Sequence, residues 1–278
     1  MNSESVGIIG VGLVGGVIAD RLAAAGYSVC GFDVVEVANR NFERLASAHE
    51  VFARCRIVLL SLPDSGVVRG VLAEAQLDGG GLVIDTTTGK PEDAIANARV
   101  VNQAGGDYIE ATIAGSSDLL AKGEAPLFLG GDSRAIGAAQ GVLEALAARR
   151  FHVGDVGLAS RFKLMFNLML GLHRAVLAEA LCFGESQGIA PADALEVLRQ
   201  TPAFSSVMET KGERMVGREF EPPQARLSQH LKDVRLILAS GAITPLSETH
   251  RRLLESAEEL GFGEADTSAV IEAFRKES

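Results

Sequence analysis

Short runs of β-branched and aliphatic residues alternate, through the first half of the chain, with stretches whose apolar positions recur every three or four residues. Residues 6–9, 28–32, 56–62, 82–85, 107–113, 126–129 and 150–153 read as strands. Residues 13–24, 65–76, 91–103 and 133–148 read as helices between them. Gly26 marks the end of the first helix, and Pro91 suits a first helical turn. This alternation predicts a mostly parallel, doubly wound sheet with helices on both faces.

After about residue 157 no strand signal returns. Residues 158–187 form one long candidate helix, closed by Gly188 and followed by Pro191 opening the next. Further helical patterns cover 191–200, 205–216, 225–240, 246–260 and 265–276. The expected organisation is a sheet domain over 1–157 and a helical domain over 158–278, without a low-complexity linker.

Composition narrows the function. The chain has 278 residues, 47% of them hydrophobic, enough for a sizeable core. Its net charge of −10 repels polyanions and no basic run offsets it, which argues against nucleic acid. Cys30, Cys55 and Cys182 are odd in number and lack metal-type spacing, so they read as reduced thiols. The five histidines form no ligand motif, and no metal is expected. The N-terminus lacks a signal-peptide pattern, and window 162–183 carries too many polar groups for a membrane span. A cytoplasmic protein without membrane contact is expected.

The stretch "VGIIGVGLVG" (6–15) holds G-x-G-x-x-G between a strand and a helix. Gly10 permits the tight turn, Gly12 lets backbone approach a pyrophosphate, and Gly15 allows close helix–strand packing. Gly10, Val11, Gly12, Leu13, Val14 and Gly15 are therefore the candidate phosphate-binding loop. Asp33, ending the second strand, is placed to accept from ribose hydroxyls. It would repel a 2′-phosphate, and Arg40 and Arg44 are expected on a following helix, so NAD is favoured over NADP.

"GDVGLASRFKLMFN" (154–167) sets Lys163 and Asn167 one helical turn apart among apolar residues. A lysine there either snorkels to solvent or, desolvated, serves as an acid/base at near-neutral pH. Arginine cannot deprotonate, and only 6 of the 26 basic residues are lysine, so a lysine retained here suggests proton chemistry. Spacing alone leaves both readings open.

With Gly157, Ala159, Lys163 and Asn167, this stretch resembles the G-x-G-x-x-x-K-x-x-x-N segment of the β-hydroxyacid dehydrogenases, which include 3-hydroxyisobutyrate dehydrogenases and tartronate semialdehyde reductases. "SLPD" (61–64) is similar to the family's cofactor-contacting L-P segment, giving Leu62 and Pro63. "DTTTGKP" (85–91) resembles its D-x-S-T-x-x-P and puts Thr88 near the nicotinamide end. "HLKDV" (230–234) is similar to its K-D element, making Lys232 a cofactor contact. "TPLSE" and "GFGEADTSAV" resemble its closing motifs. The resemblance spans essentially the whole chain. It implies a Rossmann-type doubly wound parallel sheet domain followed by an all-α helical domain, with homodimers or homotetramers formed through the latter. It also implies Lys163 as general acid/base and Asn167 as a substrate-orienting residue. Phe166 and the short chain argue against a phosphogluconate dehydrogenase.

The family's D-A-P-V-S-G-G substrate segment reads here Glu110 to Ser116, with Ala114 in place of serine. Ala114, Gly115 and Ser116 are the corresponding substrate-binding positions, Ser116 or Ser117 supplying the lost hydroxyl. The expected activity is hydride transfer between NAD(P) and a small β-hydroxyacid or semialdehyde. Two alternatives are the same scaffold acting on a non-carboxylate carbonyl or imine, and a non-catalytic NAD-binding protein.

Overall fold

The structure, a computed structural model, describes residues 5–36, 42–75 and 80–275. The chain divides into two compact units, Met1–Lys163 and Leu164–Ser278.

The first unit is built on an eight-stranded sheet: β1 (Ser5–Ile9), β2 (Ser28–Phe32), β3 (Glu43–Arg44), β4 (Ile57–Leu60), β5 (Leu82–Asp85), β6 (Asp107–Ile113), β7 (Leu127–Gly130) and β8 (Arg150–Gly154). Strand order is β3-β2-β1-β4-β5-β6-β7-β8, and every pairing is parallel except β6 with β7. Along β4, Ile57 and Leu59 join one hydrophobic core while Val58 and Leu60 join another on the opposite face. With both faces covered, an unbroken apolar run rather than an alternating one marks the strand.

Helices α1 (Leu13–Ala24), α2 (Ala48–Arg54), α3 (Ser65–Glu74), α4 (Pro91–Gln103), α5 (Ser117–Ala121), α6 (Ser133–Ala138) and α7 (Gln140–Leu146) connect the strands. The single helix expected over 133–148 is two, broken at Ala139. Gly137 and Gly141 bracket the break, where helix propensity is poorest.

Arg44 also departs from expectation, lying in β3 rather than on a helix. Buried Leu45 donates its N–H to Gly31 O at 2.8 Å and draws the segment onto the sheet edge. Arg40 lies outside the described residues. The helix that does follow is α2, which has its own start signal. Ser47 Oγ accepts from Glu50 N–H (3.2 Å), and the Glu50 carboxylate reaches back to Ala46 N–H (3.0 Å).

Helix α8 (Leu158–Ser186) begins in the first unit and continues into the second. There α9 (Pro191–Arg199), α10 (Ser206–Gly217), α11 (Leu227–Ala239) and α12 (Pro245–Ala257) follow. A short π turn and a 3-10 helix, Thr267–Phe274, complete the unit. By length and composition α8 is the one helix among the described residues able to cross a membrane. Its Asn167 and Arg174 are buried, and Leu177 and Leu181 join the helical core, the pattern of a core helix.

The "GFGEADTSAV" segment is held by a buried ion pair. Asp266 accepts from Lys211 Nζ at 2.7 and 2.8 Å, and also from Gln224 N–H, Ser268 N–H and Ser268 Oγ. Burial works against the Asp266 charge, but Lys211 and the Ser268 bonds outweigh it and hold the carboxyl below its usual range. A depressed folded-state pKa contributes stability that is present above the unfolded value near 3.8 and lost as pH falls through the folded one. Lys211→Met, which strands the carboxylate, is expected to cost about 3–5 kcal/mol at neutral pH. Urea unfolding at pH 7 and pH 4 checks this, with the deficit shrinking at the lower pH as Asp266 protonates.

Candidate active site

At the C-terminal end of β1 the chain turns sharply. Gly10 has φ +87°, and a Cβ there would lie 2.3 Å from Ser61 O; one on Gly15 would lie 1.9 Å from Gly10 O. Both positions exclude every side chain. A Cβ on Gly12 would meet nothing within 4 Å, so space lies open beside the N-terminus of α1. That helix has no side-chain cap and no acidic residue in its first turn. Uncapped amides at Leu13 and Val14 with clear space in front fit a dinucleotide pyrophosphate.

Asp33 leaves β2 beside this loop. Its carboxylate accepts from Val11 N–H at 2.6 Å and Val35 N–H at 2.9 Å, so it fixes the glycine turn as well as ending the strand. Arg44 donates to Asp33 O (2.8 Å) and Val35 O (3.2 Å). The next two loops are tied together: Leu62 N–H donates to Thr87 Oγ1 (3.2 Å), while Thr86 Oγ1 donates to Leu60 O (2.8 Å). Pro63 and Thr88 thus sit on adjoining loops at the same sheet edge. Behind them Tyr108 donates to the buried Asp85 carboxylate at 2.5 Å, and burial pushes the Asp85 carboxyl up.

The 110–117 segment does two jobs. Glu110, on β6, turns its carboxylate to the start of α8, accepting from Gly157 N–H (2.5 Å), Ser160 N–H (3.1 Å) and Ser160 Oγ. Burial pushes its carboxyl above the usual range, and these bonds pull it back only in part. Gly130, across the antiparallel pairing, leaves the room: a Cβ there would lie 2.7 Å from Glu110 Oε2. Gly157 has φ +96°, and a Cβ on it would strike Ile95. Beyond the strand, Ala114 N–H is spent on Pro126 O (2.8 Å). Ser116 Oγ caps α5 by accepting from Leu119 N–H at 3.3 Å, and its own proton is available for donation.

Lys163 and Asn167 are both buried on one face of α8. Phe162 and Met165, neighbours of Lys163 in sequence, are exposed on another face, while Leu164 is buried. Asn167 Nδ2 donates to Asp233 Oδ2 at 2.7 Å, and Lys232 Nζ lies 3.1 Å from Asp233 Oδ1. An ionised carboxylate only accepts, so Asp233 takes the amide's N–H and turns its carbonyl the other way. Nearby, burial lowers the Arg174 pKa to about 10, against the pull of Asp266 and Asp233. Burial and Arg174 push His250 down to about 4, leaving it neutral where its ring packs against His230. Glu110 and Asp233 were not singled out from sequence. Neither falls in a local pattern that reveals its partner, although the Asp233 position beside Lys232 in "HLKDV" was in view.

Residues 5–154 match the family model described as the NAD binding domain of 6-phosphogluconate dehydrogenase. Residues 157–274 match the NAD-binding domain of NADP-dependent 3-hydroxyisobutyrate dehydrogenase. The chain belongs to the β-hydroxyacid dehydrogenase family. This dehydrogenase is 28% identical to 2-(hydroxymethyl)glutarate dehydrogenase of Eubacterium barkeri, over 99% of this chain and 96% of that protein. It is 27% identical to 2-hydroxy-3-oxopropionate reductase of Escherichia coli, over 96% of each. A crystal structure of 3-hydroxyisobutyrate dehydrogenase from Salmonella typhimurium superposes with a TM-score of 0.88 at 26% identity, covering 97% of this chain and 99% of that one. The protein is an NAD(P)-dependent oxidoreductase acting on CH–OH groups of a small-molecule substrate.

Because Asp233 orients the Asn167 amide, Asp233→Ala is expected to lower kcat/KM about 10- to 100-fold through misplacement alone. Steady-state kinetics check this, with Asp233→Asn restoring little because its own amide competes as a donor.

Proposed function

We propose that this dehydrogenase interconverts a small β-hydroxyacid and its semialdehyde, prefers NAD to NADP, and uses Lys163 as general acid/base. The observation that carries the reading is the buried Lys163–Asn167 face of α8, with the helix start clamped by Glu110 and Asn167 oriented by Asp233. Residues 1–157 hold the dinucleotide through the loop from Gly10 to Gly15, Asp33, Leu62, Pro63 and Thr88, with Lys232 as a further contact. The nicotinamide supplies the hydride chemistry. In oxidation the Lys163 amine takes the substrate hydroxyl proton; in reduction its ammonium returns one to the new alkoxide. The Asn167 amide hydrogen-bonds the substrate and holds it toward the lysine. Gly115 and Ser116 receive the substrate carboxylate, Ser116 with the proton that its capping role leaves unused.

The NAD preference rests on the Asp33 carboxylate and on Arg44, whose guanidinium is turned to backbone carbonyls. A coupled screen of C3–C5 semialdehydes and hydroxyacids with NADH and NADPH tests the proposal. Lys163→Ala is expected to cut kcat on the best substrate by about 10²–10⁴. Retention within about tenfold would sink the acid/base role, and better turnover with NADPH would sink the cofactor preference.

The same helix supports a homodimer or homotetramer. Phe162, Met169, Val176 and Phe183, seven residues apart, are all exposed, so an apolar stripe runs along α8. Such a repeat matches a second helix packed along it. Light scattering is expected to give a multiple of the 29.2 kDa chain mass, and Met169→Glu with Val176→Glu to reduce it to one chain. A wild-type monomer at micromolar concentration would refute the assignment. The three unbridged thiols fit a reducing, cytoplasmic setting.

A further inference from the structure

Two of the three cysteines, 25 residues apart in sequence, meet inside the sheet unit. Cys30 lies in the middle of β2 and Cys55 immediately follows α2, and their sulfurs are 2.9 Å apart. A disulfide requires about 2.05 Å, so closure moves the sulfurs by under about 1 Å. The approach depends on a missing side chain. Gly7 of β1 pairs with Cys30 on one side and Val58 on the other. A Cβ on Gly7 would overlap Val51 and come within 3.2 Å of Cys55 Cβ, so glycine is what lets Cys55 lie across β1 toward its partner.

A cavity of about 290 Å³ reaches one member of the pair, Cys55. Cys55 lines it together with His49, Phe52, Arg56, Val58 and Gly81, at the starts of β4 and β5. That edge is opposite the strand ends that carry the dinucleotide loop. The volume admits water-sized molecules to the Cys55 side of an otherwise buried pair. Cys182 also lines a cavity, but no second thiol faces it, and burial holds its pKa above the ordinary value.

We propose that Cys30 and Cys55 form a peroxide-driven, reversible disulfide, a modification site separate from the dehydrogenase chemistry. One proton is shared between the sulfurs. The Cys55 S–H bond to Cys30 eases the loss of the pair's first proton, holding Cys30 down to about 7, while burial opposes this. The charged groups bearing on the pair are Arg54 and Glu43, bonded to each other at 2.7 Å. The bond to Cys30 and burial push the Cys55 thiol far up, so Cys55 keeps the remaining proton and the thiolate rests on Cys30, which attacks hydrogen peroxide entering past Cys55 from the cavity. An S–O bond forms, the O–O bond breaks, and the departing hydroxide is protonated to water. The Cys55 sulfur then attacks the Cys30 sulfenic acid; the S–S bond forms, the S–O bond breaks, and the departing hydroxide takes the Cys55 proton and leaves as a second water. Two thiols are oxidised by two electrons and one peroxide is reduced. The cross-link closes a loop that contains Asp33 and α2.

The test exposes the native wild-type protein to hydrogen peroxide, quenches it with an alkylating agent, and maps peptides by mass spectrometry. The expected result is a Cys30–Cys55 cross-linked peptide, two hydrogens lighter than the reduced pair. The two thiols should disappear together at least about tenfold faster than Cys182, and dithiothreitol should restore both. Cys182→Ser should cross-link as wild type does, and Cys55→Ser should leave Cys30 without a cross-link. Oxygen additions on either cysteine without a cross-link would overturn the proposal. So would both thiols reacting no faster than Cys182, and that comparison needs no variant to fold.

Discussion

The buried carboxylate of Glu110 is the contact on which the candidate chemistry depends. It joins the middle of a central strand to the amides at the start of a 29-residue helix. Helix N-termini carry partial positive charge and unpartnered N–H groups, and one carboxylate with several lone pairs answers both. Ser160, which donates to it twice, lies three residues before Lys163, so the clamp sets the rotation of the face on which that lysine stands. Gly130 leaves the space for the carboxylate, and Gly157 takes a φ of +96° that side chains rarely adopt. Glu110 stands where the substrate segment of the resembled family has aspartate. Its geometry makes it a support for the helix.

Much of the fold was legible because burial on both faces leaves a strong mark. Ser28–Phe32, Leu82–Asp85 and Asp107–Ile113 are read from apolar runs with the bounds the structure gives them, as are α1 and α4. What escaped notice was short. Strand β3 has two residues and no periodicity to detect, and its place is set by Leu45 bonding back to Gly31. Helices α2 and α5 span seven and five residues, too few for a hydrophobic stripe. Yet Ser47 with Glu50, and Ser116 before Leu119, were capping signals present in the sequence. The last helical pattern folds as a 3-10 helix, capped by an Asp266 that is also bound to Lys211, a partner 55 residues away.

The site was legible where chemistry imposes a spacing. Gly10, Gly12 and Gly15 each have a steric or spatial reason visible in the structure, and Asp33 proves to brace the loop it follows. Lys163 and Asn167 share a buried face, as their four-residue separation requires. Tertiary partners were hidden. Nothing local to residue 233 announces that its carboxylate meets an amide 66 residues earlier, and nothing near residue 44 says its guanidinium folds back on the strand before it.

The one-way bond between Asn167 and Asp233 has a consequence for how such a chain can change over time. An amide turned by a carboxylate presents its carbonyl; turned by a donor, it presents its N–H and selects the opposite kind of ligand group. A drift at position 233 from acceptor to donor therefore rewrites what position 167 offers, although residue 167 itself is untouched. The two sites form a single inherited unit. Descendants that alter one are expected to carry a matched replacement at the other, or to have moved to a different substrate.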